Sequence, residues 1–376
     1  MRWGLVLLVV ACAPSPVDRA VSAVVFGTDD RREPHEVAPA FASIAREQVA
    51  TRIVDWAIDF ADPSAPRIVY ERTLGESLDL CEGEPFADQI APGSCSATLI
   101  DERHLLTAAH CVSTAADCEA SSHHWVFGFH VDASGLLAPL GADDVYRCAR
   151  VVVSDAREDY SVLELDREVR GREPVDVALH ESGLAVGTPV TLIGFPDGVP
   201  VKVDSGGRVT FSAPGRYFRA TSDAFDSSSG SGVFDGEGRL VGILQRGYPD
   251  YVARGACNVV NVLADEGDIG ETIGYPNAAM VAYCAARPES RLCRCDGPCW
   301  QPEPDVDGGS LDASALDAAA LDAAVLDGSA LVDASDAPAA SGCAASTGHS
   351  EWAWMLLAAG LVRRRLVRRR LVRQRD

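Results

Sequence analysis

Lysine is almost absent from this 376-residue sequence: Lys202 is the only one among 33 basic residues. That bias toward Arg excludes no activity, but other absences do exclude something. No pair of CxxC clusters with zinc-finger spacing occurs among the twelve Cys, so neither a metal nor any other cofactor is expected. The apolar runs at 3–11 and 352–362 are short for a bilayer span, which needs about 20 residues. No long stretch of helical period and no strand–helix alternation are present in the body of the chain, which argues against an α/β sheet.

Positive charge is scarce as well. The net charge is −22, and the basic residues are unevenly placed. Residues 363–376 hold eight Arg and one Asp, while 301–342 hold nine acidic residues and no basic one. The remaining body is therefore strongly acidic, repels nucleic acid and anionic membrane, and excludes a nucleic-acid partner. Hydrophobic residues make up 47% of the chain, enough for one large or two small domains plus tails. Twelve Cys without metal spacing fit an oxidising compartment, where they pair as disulfides.

In chain order, one charge, an apolar run and small residues make 1–11 a secretory signal peptide. Val9-Val10-Ala11-Cys12 resembles the lipobox of bacterial lipoproteins, which implies lipidation of Cys12; the alternative is ordinary cleavage near Ala11–Ala13. Residues 12–24 read as a tether. From 25 to about 285, short apolar runs such as Ile53–Phe60, His124–Val131, Val175–Leu179, Val190–Phe195 and Leu240–Leu244 alternate with Gly, Pro, Asp and Ser turns. That pattern predicts an all-β barrel or sandwich, with a short C-terminal helix over Glu271–Ala286. Residues 286–300 form a Cys-rich extension.

Beyond it, 301–342 repeats Leu at 311, 316, 321, 326 and 331. A period of five matches neither helix nor strand, so an acidic disordered linker is expected over a short β-solenoid. Residues 343–376 join Cys343, the apolar run and the Arg cluster, and resemble the C-terminal sorting tails of myxobacterial surface proteins. This implies a short hydrophobic helix with its Arg end on the cytoplasmic side. On an exported chain the Leu-Val-Arg-Arg-Arg repeat reads as a stop-transfer end and not as a nucleic-acid patch.

The chemistry is concentrated in three stretches. Ser227-Ser228-Ser229-Gly230-Ser231-Gly232-Val233-Phe234 is a polar turn before an apolar run, able to expose a Ser hydroxyl beside free backbone N–H groups. Upstream stand Cys95-Ser96-Ala97-Thr98-Leu99-Ile100 and Leu105-Leu106-Thr107-Ala108-Ala109-His110-Cys111. Between them lies Glu158-Asp159-Tyr160-Ser161-Val162-Leu163-Glu164-Leu165, in which Asp159 opens an alternating apolar strand, with Asp155 and Glu158 as alternative acids.

These motifs resemble the chymotrypsin/trypsin superfamily of serine peptidases over roughly residues 25–275, closest to its bacterial glutamyl-endopeptidase-like branch. The resemblance implies two six-stranded antiparallel β-barrels and a Cys95–Cys111 disulfide. It also implies His110 as general base, Asp159 as the acid that orients it, and Ser229 as nucleophile, with Ser231 the alternative if Val233-Phe234 is aligned differently. The order His, Asp, Ser is that of the chymotrypsin fold. The backbone N–H groups of Ser227 and Ser229 would form the oxyanion hole.

Two positions depart from the family, and three more leave its specificity open. Ser227 stands where the family carries Gly, whose freedom lets its N–H face the oxyanion, so a narrowed or misdirected hole is expected there. Ser228 replaces the Asp of trypsin-type activation. Asp223 occupies the place of the trypsin-type Arg/Lys-selecting Asp, yet Glu-specific members carry an Asp there too. Leu244 stands in place of their Glu-reading His, and Arg246 follows it, so these three are specificity-pocket candidates without a decided preference.

The expectation is an exported, monomeric serine endopeptidase acting on protein or peptide substrates. It would be held at a bacterial cell surface or outer membrane through the N-terminal lipid, the C-terminal segment or both, or be released extracellularly. The rival expectations are an inert protease-fold module that binds protein partners, and an esterase using the same triad.

Overall fold

The computed structural model describes residues 25–119, 122–247 and 249–294. The signal peptide, Cys12 with its tether, the linker and the sorting tail all lie outside the described residues. The described chain is mostly β, with few and short helices.

Seven strands make the first sheet: β1 (Val49–Val54), β2 (Gly93–Asp101), β3 (His104–Thr107), β4 (His123–Phe127), β5 (Val145–Tyr146), β6 (Cys148–Asp155) and β7 (Tyr160–Leu165). Their order is β6-β7-β3-β2-β1-β4-β5, antiparallel throughout. The second sheet contains β8 (Thr191–Gly194), β9 (Lys202–Asp204), β10 (Val209–Ala213), β11 (Tyr217–Ala220), β12 (Gly232–Phe234), β13 (Leu240–Arg246) and β14 (Glu271–Gly274). It runs β10-β11-β14-β13-β12-β8-β9, and Arg31–Arg32 closes it as an eighth, antiparallel edge strand. Two antiparallel sheets bear out the expected all-β, two-part architecture, with seven and eight strands in place of six each.

Period-two alternation explains how both faces of these strands find apolar neighbours. Trp125 and Phe127 of β4 and Leu163 of β7 pack in a core belonging to the first sheet. The intervening Val126 and Val162 point the other way, into a cluster shared with Ile193 of β8, Phe234 of β12 and Ile243 of β13. On the second sheet Leu192, Val233 and Val241 face a third core of their own. One apolar interior therefore joins the sheets, and it also receives Ala279, Met280 and Tyr283 of the helix α1 (Asn277–Ala286).

That helix is shorter than the sequence predicted. Glu271–Gly274, assigned there to the helix, is instead strand β14, paired on one side with β11 and on the other with β13. Thr272 and Ile273 favour the strand, and Pro276, which lacks an N–H, marks the earliest point at which a helix can begin. Val175–Leu179 forms no strand: Val177 bridges to Leu240, and Val175 N–H donates to Leu99 O at 3.0 Å. Four disulfides occur among the described residues: Cys81–Cys257, Cys95–Cys111, Cys118–Cys148 and Cys284–Cys293.

Candidate active site

Strand register puts His110 beside Asp159. In the antiparallel pair β3–β7, Ser161 lies opposite Thr107, so the turn leaving β3 and the turn entering β7 meet at one end of the sheet. His110 comes three residues after Thr107, and Asp159 two before Ser161. The His110 ring Nδ1 lies 2.9 Å from Asp159 Oδ2 and 3.1 Å from Oδ1, and the His110 backbone N–H donates to Oδ1 at 3.1 Å. The carboxylate is buried while the imidazole is about half exposed. Asp159 adopts φ 50°, a left-handed conformation that costs a non-Gly residue about 1 kcal/mol or more and turns its side chain onto the His loop. Asp155 caps its own turn, accepting from the N–H groups of Arg157 and Glu158, and of the three candidate acids only Asp159 meets the imidazole.

The electrostatics of the pair follow from this geometry. The hydrogen bond to Asp159 holds His110 above the usual imidazole value, against the opposing effects of burial and of Arg246. Burial pushes Asp159 up, but the hydrogen bonds from the His110 ring and backbone outweigh it and hold the carboxyl below its usual range.

Ser229 comes from the other sheet and is clamped between the two. Its carbonyl accepts from Ser96 N–H of β2 at 2.8 Å, and Cys111 Sγ packs 3.7 Å from the same oxygen. Gly230 N–H, next in the chain, donates to Leu244 O of β13 at 2.8 Å. Gly230 has φ 82°, and a Cβ there would collide with Ser96 O and Thr107 Oγ1, so the turn approaches the His-bearing strand only because this residue is Gly. The Cys95–Cys111 bridge ties β2 to the His loop at the same place.

The Ser231 hydroxyl is sealed in the interior against Gly194 and has no partner among the described residues. Ser229, by contrast, is half-buried and lines a cavity of about 320 Å³ with Ala224, Phe225, Asp226, Leu244, Arg246, Gly247, Pro249 and Asp250. Ser227 takes φ 64°, the positive-φ conformation that a Gly would supply. Among the described residues, neither Ser227 N–H nor Ser229 N–H has an acceptor within the protein. The Ser227 carbonyl instead accepts from Ser96 Oγ at 3.1 Å, turning that peptide's oxygen inward.

Of the three specificity candidates, Leu244 and Arg246 line the cavity and Asp223 does not. The Asp223 carboxylate faces the N-terminal segment, accepting from Phe26 N–H at 2.9 Å and Asp30 N–H at 2.8 Å. Burial and the neighbouring Asp204 push its pKa up. Asp30, Asp204 and Asp223 place their carboxylates close together, but Asp204 and Asp223 already accept backbone N–H groups.

Sequence reasoning missed Gln245, whose Nε2 reaches from β13 to Glu158 O at 2.6 Å and Asp159 O at 3.3 Å, tethering the acid's turn to the opposite sheet. It also missed the role of Ser96, visible in the Cys95-Ser96-Ala97 motif only as a small residue.

Residues 95–243 match the model of the trypsin-like peptidase domain, a stretch that contains His110, Asp159 and Ser229. Solved structures similar to this chain include a Glu endopeptidase in complex with MPD, at 18% identity and TM-score 0.42, with 70% of this chain and 98% of that chain covered. Another is the Vibrio cholerae VesB protease, at 14% identity and TM-score 0.39, with 68% of this chain and 65% of that one covered. No curated protein sequence matches the chain.

Proposed function

We propose that this protein is an extracytoplasmic serine endopeptidase that hydrolyses peptide bonds through Ser229, His110 and Asp159. The observation that carries the reading is the His110 Nδ1 bond to a buried Asp159, on a loop packed against the turn that presents Ser229. Asp159 fixes the tautomer with the proton on Nδ1, leaving Nε2 as base. His110 takes the Ser229 hydroxyl proton as Oγ attacks the scissile carbonyl. It then gives that proton to the leaving amine as the C–N bond breaks and the acyl-enzyme forms. Water, deprotonated by the same imidazole, attacks the ester, releases the acid and restores Ser229.

The free N–H groups of Ser227 and Ser229 are the donors for the oxyanion, each worth about 3 kcal/mol in the transition state. Ser227 retains the backbone conformation of a Gly, which supports an open hole and disfavours an inert module. Export, lipidation at Cys12 and surface attachment are part of the same reading, and the four disulfides support a compartment outside the cytoplasm.

A fluorophosphonate probe tests the reading on the full mature chain. Wild type should be labelled and Ser229→Ala should not. A folded wild type that takes no label would establish the inert binding module instead. Label that survives Ser229→Ala but not Ser231→Ala would move the nucleophile. An enzyme that labels and cleaves esters but no peptide would be an esterase.

A further inference from the structure

Arg246 is exposed, and among the described residues no hydrogen bond or ion pair engages its guanidinium. Other exposed arginines do find carboxylates, Arg208 on Asp265 at 2.7 Å and Arg239 on Asp235 at 2.8 Å. Arg246 is also the one cation in the lining of the Ser229 cavity, and neither acid of that lining pairs with it. Asp250 instead accepts the Asp226 N–H at 2.7 Å.

The strand sets where that charge is offered. Along β13 the side chains alternate between faces. Gln245 turns toward the acid's turn, its Nε2 at 2.6 Å from Glu158 O, whereas Leu244 and Arg246 share the other face and line the cavity. Leu244 sits against the Ser turn, donating to Ser231 O at 2.9 Å and accepting from Gly230 N–H at 2.8 Å. Arg246 stands about 7 Å further along the strand. It is close enough to His110 and Asp159 for its charge to act on both. Leu244 therefore borders the place of the residue whose carbonyl Ser229 attacks. In an extended substrate the preceding residue turns its side chain the other way, toward the imidazole and the Arg246 charge.

Resting on the peptidase reading above, we propose that Arg246 is a specificity-determining residue that selects Asp or Glu at the second residue before the scissile bond. Its planar guanidinium offers paired N–H donors that match a carboxylate, and none of them is engaged within the described protein. A Lys or Arg side chain at that position would meet like charge. An uncharged side chain would leave Arg246 solvated and gain no attraction from it. A carboxylate at the residue next to the bond would instead point into the cavity, toward Asp226 and Asp250.

Peptides that differ only in carrying Glu, Gln or Lys at that position test the inference. Wild type should cleave the Glu peptide with kcat/KM about fivefold above the Gln peptide, an advantage that shrinks with added salt. Arg246→Gln should bring the ratio to about one, and Arg246→Lys should keep part of it. Arg246→Glu should reverse the order, favouring Lys over Glu. All three substitutions fall on an exposed side chain, so the fold tolerates them. Equal cleavage of the Glu and Gln peptides by wild type would overturn the inference. So would a ranking that Arg246→Glu leaves unaltered, or an acid preference confined to the residue next to the bond. Failure of the peptidase reading looks different. The protein would then take no fluorophosphonate label and cleave no peptide. Calorimetry on wild type and on Ser229→Ala would still show the Glu peptide bound more tightly than the Gln peptide, with Arg246→Gln removing the difference.

Discussion

Ser96 N–H donates to the carbonyl of Ser229 at 2.8 Å, so a strand of the first sheet directly holds the proposed nucleophile presented by the second. The Ser96 hydroxyl adds two further links, donating to Ser227 O and accepting from Phe195 N–H, both at 3.1 Å. Ser96→Ala keeps the backbone bond and removes both side-chain links. It should cost about 1–3 kcal/mol of stability by leaving buried groups unpaired. It should also slow fluorophosphonate labelling of Ser229, with kcat reduced more than KM, because the Ser227–Ser229 donors lose their alignment. A change in melting temperature with an unaltered kcat would confine Ser96 to a structural role.

Ser227 holds a left-handed backbone conformation, φ 64°, in the turn proposed to supply the oxyanion donors. Ser227→Gly should relieve about 1 kcal/mol of left-handed strain, raising the melting temperature by a few degrees. Activity against a good substrate should hold or rise. A less stable variant would mean that the Ser227 hydroxyl, 3.5 Å from Gly93 O, contributes more than the strain removes.

The pH–rate profile should carry an acidic limb with its midpoint above 6.5, because His110 must lose its proton to act as base and Asp159 raises its pKa. Asp159→Asn should lower that midpoint and reduce kcat on the order of 10⁴-fold. Stability follows a different rule. The raised His110 stabilises the fold below 6.5 and loses that contribution as pH climbs through its folded value. The lowered Asp159 contributes above 3.8 and loses its share as pH falls through its own folded value. A limb centred well below 6.5 would contradict the Asp159–His110 bond.

The buried acids beside the N-terminal segment act in the opposite sense from Asp159. Burial first, then mutual repulsion, raises Asp223 to about 8, while burial outweighs backbone hydrogen bonds to raise Asp204 to about 6. Carboxyls with raised folded values favour the folded state fully below 3.8, and that contribution fades as pH rises toward 8. Thermal unfolding should therefore occur at higher temperature near pH 5 than near pH 8. Asp223→Asn should flatten that slope, and a slope unchanged by the substitution would remove Asp223 from the account.

The meeting of His110 with Asp159 was legible because a short motif carries the imidazole and an acid opening an apolar strand is a local pattern, while the role of Ser229 belongs to the proposed function. The all-β class was legible from short runs between turns, and its division into two parts was implied by the family resemblance. What escaped were relations between segments far apart in sequence. Asp223 lies six residues before Ser229, yet its carboxylate faces Phe26 and Asp30, and nothing in the chain near Asp223 shows which way it turns. Glu271 was hidden inside a helix expectation, since the apolar spacing of 271–286 fits a helix until Pro276 and the pairing of Thr272 and Ile273 with two neighbouring strands are known. Gln245 has no signature at all, because its role exists only when β13 lies against the turn before β7.

The Cys81–Cys257 bridge closes a span of 176 residues, and it anchors the Tyr251–Arg254/Cys257–Val260 hairpin whose approach supplies Pro249 and Asp250 to the cavity. That covalent tie couples the shape of the cavity beside Ser229 to the oxidation history of the chain. In a reduced molecule that wall of the cavity would be secured by non-covalent contacts alone, and the His110 loop would lose its Cys95–Cys111 tie to β2 at the same time. Cavity wall and His loop would then be secured together, by the same oxidation.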